Sequence, residues 1–391
     1  MIKLLHTSDW HLGKRLFRLD RGEEHGLFLD WLLQTIKDEE IDYLLVAGDI
    51  FDVPTPPHFS LKMFFDFLGR LSKETNCSSF IIAGNHDSGA LINAPAALYN
   101  DHRVQVWGKL EEVSKHWATL KDKDGVDRLQ LCAIPFFRHY ELAADMVEGD
   151  ELLERLTNYF INPPSKDLPK IFMGHHLFGM FEAAGSEQVI NLSGVDSIPT
   201  KTLTDHFIYG ALGHIHKPQK ISSNPLIVYS GSPLQMRFSE QHEKSVQILK
   251  FDGELKVEKK PIPYFRQLLR LETTLAEYKK DIKELTHTSQ LTPQLELILS
   301  LPAPQVGLTE EIKAYTEKHG IELLSIIPIY EAKDYEQKEV RSLVDLSPYE
   351  LFEEFYKNKY PEEAQVPDDL KSDFLKLLSK ANHASDKTQN S

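Results

Sequence analysis

The sequence predicts an α/β protein with a second, smaller α/β unit and a helical C-terminal segment. Three observations lead there. Short apolar runs alternate with amphipathic helical patterns along the first part of the chain. Five small polar clusters each directly follow an apolar run, and the texture changes near Arg266 and again near Ser347. Alternating strand and helix signals favour strands joined by helical crossovers, whose functional groups collect at the carboxyl ends of the strands.

Residues 2–6 read as a strand leading to Asp9. Over 24–36, Leu27, Phe28, Trp31, Leu32 and Ile36 share one helical face. A strand at 43–47 ends at Gly48-Asp49, and a helix at 59–71 carries the stripe Met63, Phe64, Phe67, Leu68 and Leu71. The strand at 80–83 runs into Gly84-Asn85-His86-Asp87. Further strands at 129–134, 171–174, 207–212, 226–229 and 246–251 predict a mixed sheet, or a pair of packed sheets, flanked by helices. Pro261 and Pro263 mark a hinge. Beyond it, strands at 267–271, 295–301 and 321–329 alternate with helices at 275–285 and 309–319. Ser347-Pro348-Tyr349-Glu350 is a capping box opening a helix with Leu351, Phe352, Phe355 and Tyr356 on one side. A second helix carries Leu370, Phe374, Leu377 and Leu378. Two such short helices need the protein body or a partner to cover their faces. The expected division is 1–262, 263–344, 345–380 and a disordered polar tail at 381–391.

The 391 residues are 41% hydrophobic and 26% charged, an ordinary globular balance. No apolar run reaches the roughly 20 residues of a membrane span, and the N-terminus enters a strand directly, so neither membrane nor signal peptide is expected. Two cysteines, Cys77 and Cys132, make no disulfide framework or zinc motif, and the cytoplasm is the expected compartment. The net charge is −15, from 59 acidic and 44 basic residues. A chain that grips nucleic acid unaided usually has a basic surplus. Any nucleic-acid substrate here therefore needs metals, a local basic patch or a partner.

The five clusters are Asp9-Trp10-His11, Gly48-Asp49, Gly84-Asn85-His86-Asp87, Gly174-His175 and Gly213-His214-Ile215-His216. In an extended segment Asp9 and His11 would point to one side, as would His214 and His216. Asp49 is a natural bridging carboxylate, Asn85 offers an amide oxygen and His175 an imidazole. Seven such oxygen and nitrogen donors suit two divalent ions that activate water and stabilise phosphoryl transfer. His86 can hydrogen-bond to the transition state and assist the leaving oxygen, with Asp87 holding its imidazole in place.

These clusters resemble the signature of the calcineurin-like metallophosphoesterases. The resemblance implies a four-layer αββα sandwich with a capping domain. It also implies one ion at Asp9, His11, Asp49 and His216, and a second at Asp49, Asn85, His175 and His214, usually manganese. Thr7-Ser8-Asp9-Trp10-His11-Leu12-Gly13, Gly48-Asp49-Ile50-Phe51-Asp52 and Tyr229-Ser230-Gly231-Ser232-Pro233 resemble the DNA-nuclease branch of that superfamily. That branch implies exonuclease action on double strands and endonuclease action on single strands and hairpins, in DNA replication, recombination and repair. It further implies an SMC-like ATPase partner docking on the C-terminal helices, and a homodimer within a heterotetramer. Asp52 stands where some relatives carry a histidine, so a second catalytic histidine is not expected there. His176 beside His175 leaves the ligand choice open by one position.

Most of the 17 histidines lie outside any motif and are expected to be surface or packing residues. Trp10 reads as a packing residue beside the site. The stripe at 63–71 is a core face or a dimer-forming helix. Arg15, Arg18 and Arg21 contact DNA phosphates or line a solvated loop. Against the nuclease stand two alternatives: a phosphatase or small-molecule phosphodiesterase with the same metals, and a scaffold whose metal site only stabilises the fold. A small substrate needs no capping unit, and a structural site needs no acid beside its ions.

Overall fold

The computed structural model describes residues 1–17, 19–95, 99, 103–138, 141, 150–160, 162–183 and 197–330, and in the C-terminal segment 349, 352–353, 356, 360, 366–367, 369–374 and 376–378. These fall into two compact units, Met1–Ile329 and Tyr330–Ser391.

In chain order the strands begin with β1 (Ile2–Thr7), β2 (Arg15–Leu16), β3 (Leu19–Asp20), β4 (Tyr43–Ala47), β5 (Ser78–Ile82) and β6 (Val104–Trp107). Then follow β7 (Trp117–Lys121), β8 (Asp127–Ile134), β9 (Lys170–Gly174), β10 (Tyr209–Leu212), β11 (Gln219–Ser223) and β12 (Leu226–Tyr229). The last are β13 (Ser245–Phe251), β14 (Leu255–Pro261), β15 (Leu268–Thr274), β16 (Gln294–Leu301) and β17 (Glu322–Tyr330). The helices are α1 (Gly22–Asp38), α2 (His58–Glu74), α3 (Gly89–Asn93), α4 (Asp150–Phe160), α5 (Lys201–Thr204), α6 (Tyr278–Glu284) and α7 (Leu308–Lys318).

Two six-stranded sheets run β14-β13-β1-β4-β5-β6 and β11-β12-β10-β9-β8-β7. In each, four parallel strands form a block: β1, β4, β5 and β6 in one, β8, β9, β10 and β12 in the other. Strands buried on both faces must be apolar throughout, and the side chains sort by parity. Leu45 and Ala47 of β4, Phe80 and Ile82 of β5, Ile171 and Met173 of β9 and Ala211 of β10 meet between the sheets. Leu44, Val46 and Ile81 turn outward to Phe28, Leu32 and Ile36 of α1 and Phe64, Phe67 and Leu71 of α2. On the far side Cys132, Phe172 and Leu212 meet Leu156 of α4 and Leu203 of α5. The result is a four-layer αββα sandwich, each buried aliphatic side chain contributing about 2 kcal/mol.

The stripe on α2 is a core face. Trp10 stands edge-on to Phe28 and Phe67 at 5.8 and 5.6 Å and donates its Nε1–H to Thr7 Oγ1 at 3.1 Å. It is a packing residue. On the other side of α2, Leu61 and Phe65 line an apolar cavity of about 600 Å³ with Leu91, Pro95, Tyr99 and Val104.

Beyond the prolines, β15, β16 and β17 form a three-stranded sheet, whose Leu295, Leu297 and Leu299 pack on Ile282 of α6 and Ile312 of α7. In the Tyr330–Ser391 unit, Phe352 and Phe374 stack at 4.2 Å, so the two predicted helical faces do touch. Leu370 and Leu377 stay exposed. Ser347, Pro348, Leu351, Phe355 and the tail lie outside the described residues.

Candidate metal centre

Loops from both sheets meet where their parallel strands end. The loops are laced like a continued ladder: Asp9 N donates to Gly48 O at 3.0 Å, His11 N to Asp49 O at 3.0 Å, and Gly213 N to Gly174 O at 3.1 Å. Asp9, His11, Asp49 and His214 carry φ of 54°, 47°, 51° and 99°. This left-handed backbone costs a non-glycine residue about 1–3 kcal/mol, and such strain gathers at functional sites. It also corrects the extended geometry expected of Asp9 and His11. Gly48 is left-handed too, and a Cβ on Gly84 would lie 2.1 Å from Asp49 Oδ1. Glycine at 84 is what lets the carboxylate approach.

All seven expected donors converge, and Asp9, His11, Asp49, His175, His214 and His216 are buried. Ligand atoms of Asp9, His11 and His216 lie within 4.8 Å of one another, as do those of Asp9, Asp49 and His175. His11 Nε2 faces His216 Nε2 at 3.0 Å. Asn85 Oδ1 lies 3.1 Å from His175 Nε2 and 2.8 Å from His214 Nδ1. Asp49 Oδ2 stands between the two groups, 3.6 Å from His11 Nε2 and 3.3 Å from His175 Nε2. His214 and His216 do not point to one place as their spacing suggested. His214 joins the Asn85 group and His216 the His11 group.

The donor set fits cations. His175 Nδ1 donates to Ala47 O at 2.7 Å, which turns Nε2 towards the oxygens of Asp49 and Asn85. Asn85 turns its oxygen inward, and its Nδ2 has no hydrogen-bond partner. Lone pairs gathered in a buried space require positive charge between them. The titration of the cluster says the same. Burial lowers the His175 imidazole, but Asp49 and Asp9 outweigh it and push it up to about 9. Burial would raise the Asp49 carboxyl, yet the imidazoles of His175, His11 and His86 hold it below the usual carboxylate range. Burial, with His175 adding, takes His214 down to about 3, the neutral form a metal ligand needs.

His175 is the histidine at the cluster. His176 turns away, its ring stacked on Phe136 at 5.0 Å and its Nε2 accepting from Phe137 N at 3.2 Å. His86 lies beside His11, ring centroids 4.9 Å apart. Its expected partner needs correcting. Asp87 accepts from the backbone N–H groups of Gly84, Ile50 and Phe51 at 2.8, 3.1 and 2.9 Å, so it braces two loops rather than the imidazole. The His86 ring is held instead by its Nδ1–H donating to Asp52 O at 2.8 Å.

Asp52 is the residue that sequence reasoning undervalued. Its Oδ1 lies 3.4 Å from His11 Nδ1 and 3.0 Å from Lys14 Nζ. Burial would raise its carboxyl, but His11 and Lys14 hold it at about 2. Its carboxylate thus backs one imidazole while its carbonyl orients another. The only signal was its place three residues after Asp49. Of the three arginines, Arg15 is exposed on the β2–β3 hairpin and Arg18 lies outside the described residues. Arg21 is buried against Glu24, which removes it from phosphate contact.

A family profile described as calcineurin-like phosphoesterase matches residues 2–218. The chain belongs to that family. Its fold implies divalent metal ions, and the donor set above could hold them. A second profile, described as type 5 capsule protein repressor C-terminal domain, matches residues 264–360. The chain is similar to the SbcD component of the SbcCD nuclease of Escherichia coli K12, 29% identical over 374 residues covering 90% of this chain and 92% of that one. The protein of the same name from Bacillus subtilis is 31% identical over 260 residues, covering 63% and 66%. That from Rhodobacter capsulatus is 29% identical over 290 residues, covering 69% and 71%.

Proposed function

We propose that this chain is a two-metal-dependent DNA nuclease, cutting phosphodiester bonds as a double-strand exonuclease and as a single-strand and hairpin endonuclease. It would act with an SbcC-type SMC-like ATPase in DNA end processing, recombination and repair. The observation that carries the reading is the seven-donor cluster divided by Asp49, in a chain similar to SbcD nucleases over most of its length. One ion would be held by Asp9, His11, Asp49 and His216, the other by Asp49, Asn85, His175 and His214, with manganese the proposed metal. Bound there, such ions supply Lewis acidity and an activated water.

The chain's own residues do the rest. With Nδ1–H given to Asp52 O, His86 as the imidazolium would present Nε2–H to a phosphoryl oxygen and pass that proton to the departing one. Asp87 pins the Asp49 and Asn85 loops to each other, so donors from two strands keep a fixed separation. The exposed Leu370 and Leu377 support docking of the ATPase on the C-terminal helices. The apolar cavity beside α2 supports a homodimer within a heterotetramer. Buried, unbridged Cys77 and Cys132 support a reducing compartment, the cytoplasm.

The test is a manganese-dependent assay on labelled hairpin and linear DNA and on p-nitrophenyl phosphodiesters, with and without the ATPase, with His86→Gln in parallel. DNA cleavage that falls about 10²–10⁴-fold in His86→Gln, with manganese binding intact, is expected. Hydrolysis of the small diester without DNA cleavage favours the small-molecule diesterase. Hydrolysis of neither substrate favours the scaffold.

A further inference from the structure

Behind His216 lies a buried ion pair that the proposed chemistry does not use. Lys244 and Glu240 are 2% and 1% exposed. Lys244 Nζ shares its three N–H donors among four neighbours, Glu240 Oε2 at 2.6 Å, Ser232 Oγ at 2.9 Å, the His216 carbonyl oxygen at 3.2 Å and His242 Nε2 at 3.1 Å. The His216 carbonyl also accepts from Ser232 N at 3.1 Å. A backbone oxygen beside the cluster is therefore clamped by a buried ammonium and a backbone amide together.

The pair reaches outward as well. Glu240 Oε2 accepts from Met236 N at 3.1 Å, and Gln235 Nε2 donates to Glu240 O at 2.7 Å. Gln235 Oε1 accepts from Leu268 N, the first residue of β15, at 2.9 Å, and Gln235 O accepts from Arg21 at 2.7 Å. The segment holding the His216 carbonyl is thus hydrogen-bonded to the three-stranded sheet.

Stability alone gives a poor reason for such a pair. Desolvating two charges costs several kcal/mol each, and well-packed apolar replacements are often as stable. An ammonium donating to the peptide next to an imidazole does what an apolar side chain cannot: it sets the peptide plane and so the direction of the ring. We infer that Lys244, neutralised by Glu240, is a positioning residue that aims His216 at the metal centre and ties that centre to the β15 sheet. The inference rests on the reading of His216 as a metal ligand. Groups that hydrogen-bond a ligating side chain typically carry about 10–100-fold in metal affinity, and the clamp on the His216 carbonyl is expected to act within that range.

The experiment is manganese titration calorimetry of the full chain as wild type, Lys244→Met, Lys244→Met/Glu240→Leu and His216→Ala, with thermal unfolding of each metal-free protein. Lys244→Met is expected to weaken one of the two ions about 10–100-fold and to leave the other within about threefold. The double variant, relieved of the lone buried carboxylate, should regain unfolding temperature without regaining that ion. Wild-type affinity for both ions in either folded variant would overturn the inference. So would failure of both to fold, which would make the pair a folding element. Should His216→Ala itself keep both ions at wild-type affinity, the ligand reading falls first and takes this inference with it.

Discussion

At His175 two opposed electrostatic effects act on one side chain. Burial favours the neutral ring, while Asp49 at 3.3 Å and Asp9 favour the imidazolium and push its pKa up to about 9. Nδ1–H is committed to Ala47 O, so the titrating proton sits on Nε2, the atom turned to the cluster. A divalent ion at that position must displace it. The sign follows: below pH 9 the metal competes with a proton, above it there is none to displace. Manganese affinity should therefore rise with pH by up to about tenfold per unit towards 9 and then level off, with proton release visible as a buffer-dependent binding heat. Calorimetry at three pH values in two buffers measures both. A flat affinity with no proton released would show that His175 Nε2 carries no proton to displace over that range, against the raised pKa.

Elements were legible in the sequence according to their neighbours. The apolar runs picked out β1, β4, β5, β8, β9, β10, β12 and β13, all of them interior to their sheets, and all three strands of the small sheet. Within the two large sheets the strands missed, β14, β6, β11 and β7, are the four edges. An interior strand of a sandwich is apolar on both faces, whereas an edge such as Gln219–Ser223 faces water and carries polar residues that read as loop. In the site, donors directly after interior strands were legible for the same reason. The brace at Asp87 and the second role of Asp52 were not, because their partners come from another loop that only the fold brings close. The C-terminal helices repeat the lesson in reverse: their periodicity was plain, and Phe352 does meet Phe374, but Leu370 and Leu377 remain uncovered. Deleting 345–391 should abolish co-purification with the ATPase while leaving manganese-dependent hydrolysis of a small diester within about twofold, since all seven donors lie before residue 217. Complex formation by the truncated chain would show that the exposed leucines serve something else.

For the whole molecule, charge sets the limit that the site does not. A chain with 59 acidic and 44 basic side chains repels a polyanion at distances where only net charge is felt, and the Debye length of about 8 Å at physiological salt confines attraction to local groups. Near the cluster several of those groups among the described residues are already paired, Lys14 with Asp52, Arg21 with Glu24 and Lys217 with Glu182, while Arg15 stands exposed on the hairpin and Lys109 and Arg138 line the pocket beside Asn85. Metal ions would add positive charge only where the scissile phosphate sits, which favours catalysis over grip. The isolated chain should therefore bind duplex DNA no tighter than about 10⁻⁵ M at physiological salt, with a log K against log salt slope of only about −1 to −3. Addition of the ATPase should both tighten binding and steepen that slope, because more phosphates are then neutralised. Fluorescence anisotropy from low to physiological salt, with and without the ATPase, measures both quantities. Nanomolar, salt-insensitive binding by the chain alone would mean that it holds DNA by contacts its charge does not foretell, and that the partner is needed for something other than grip.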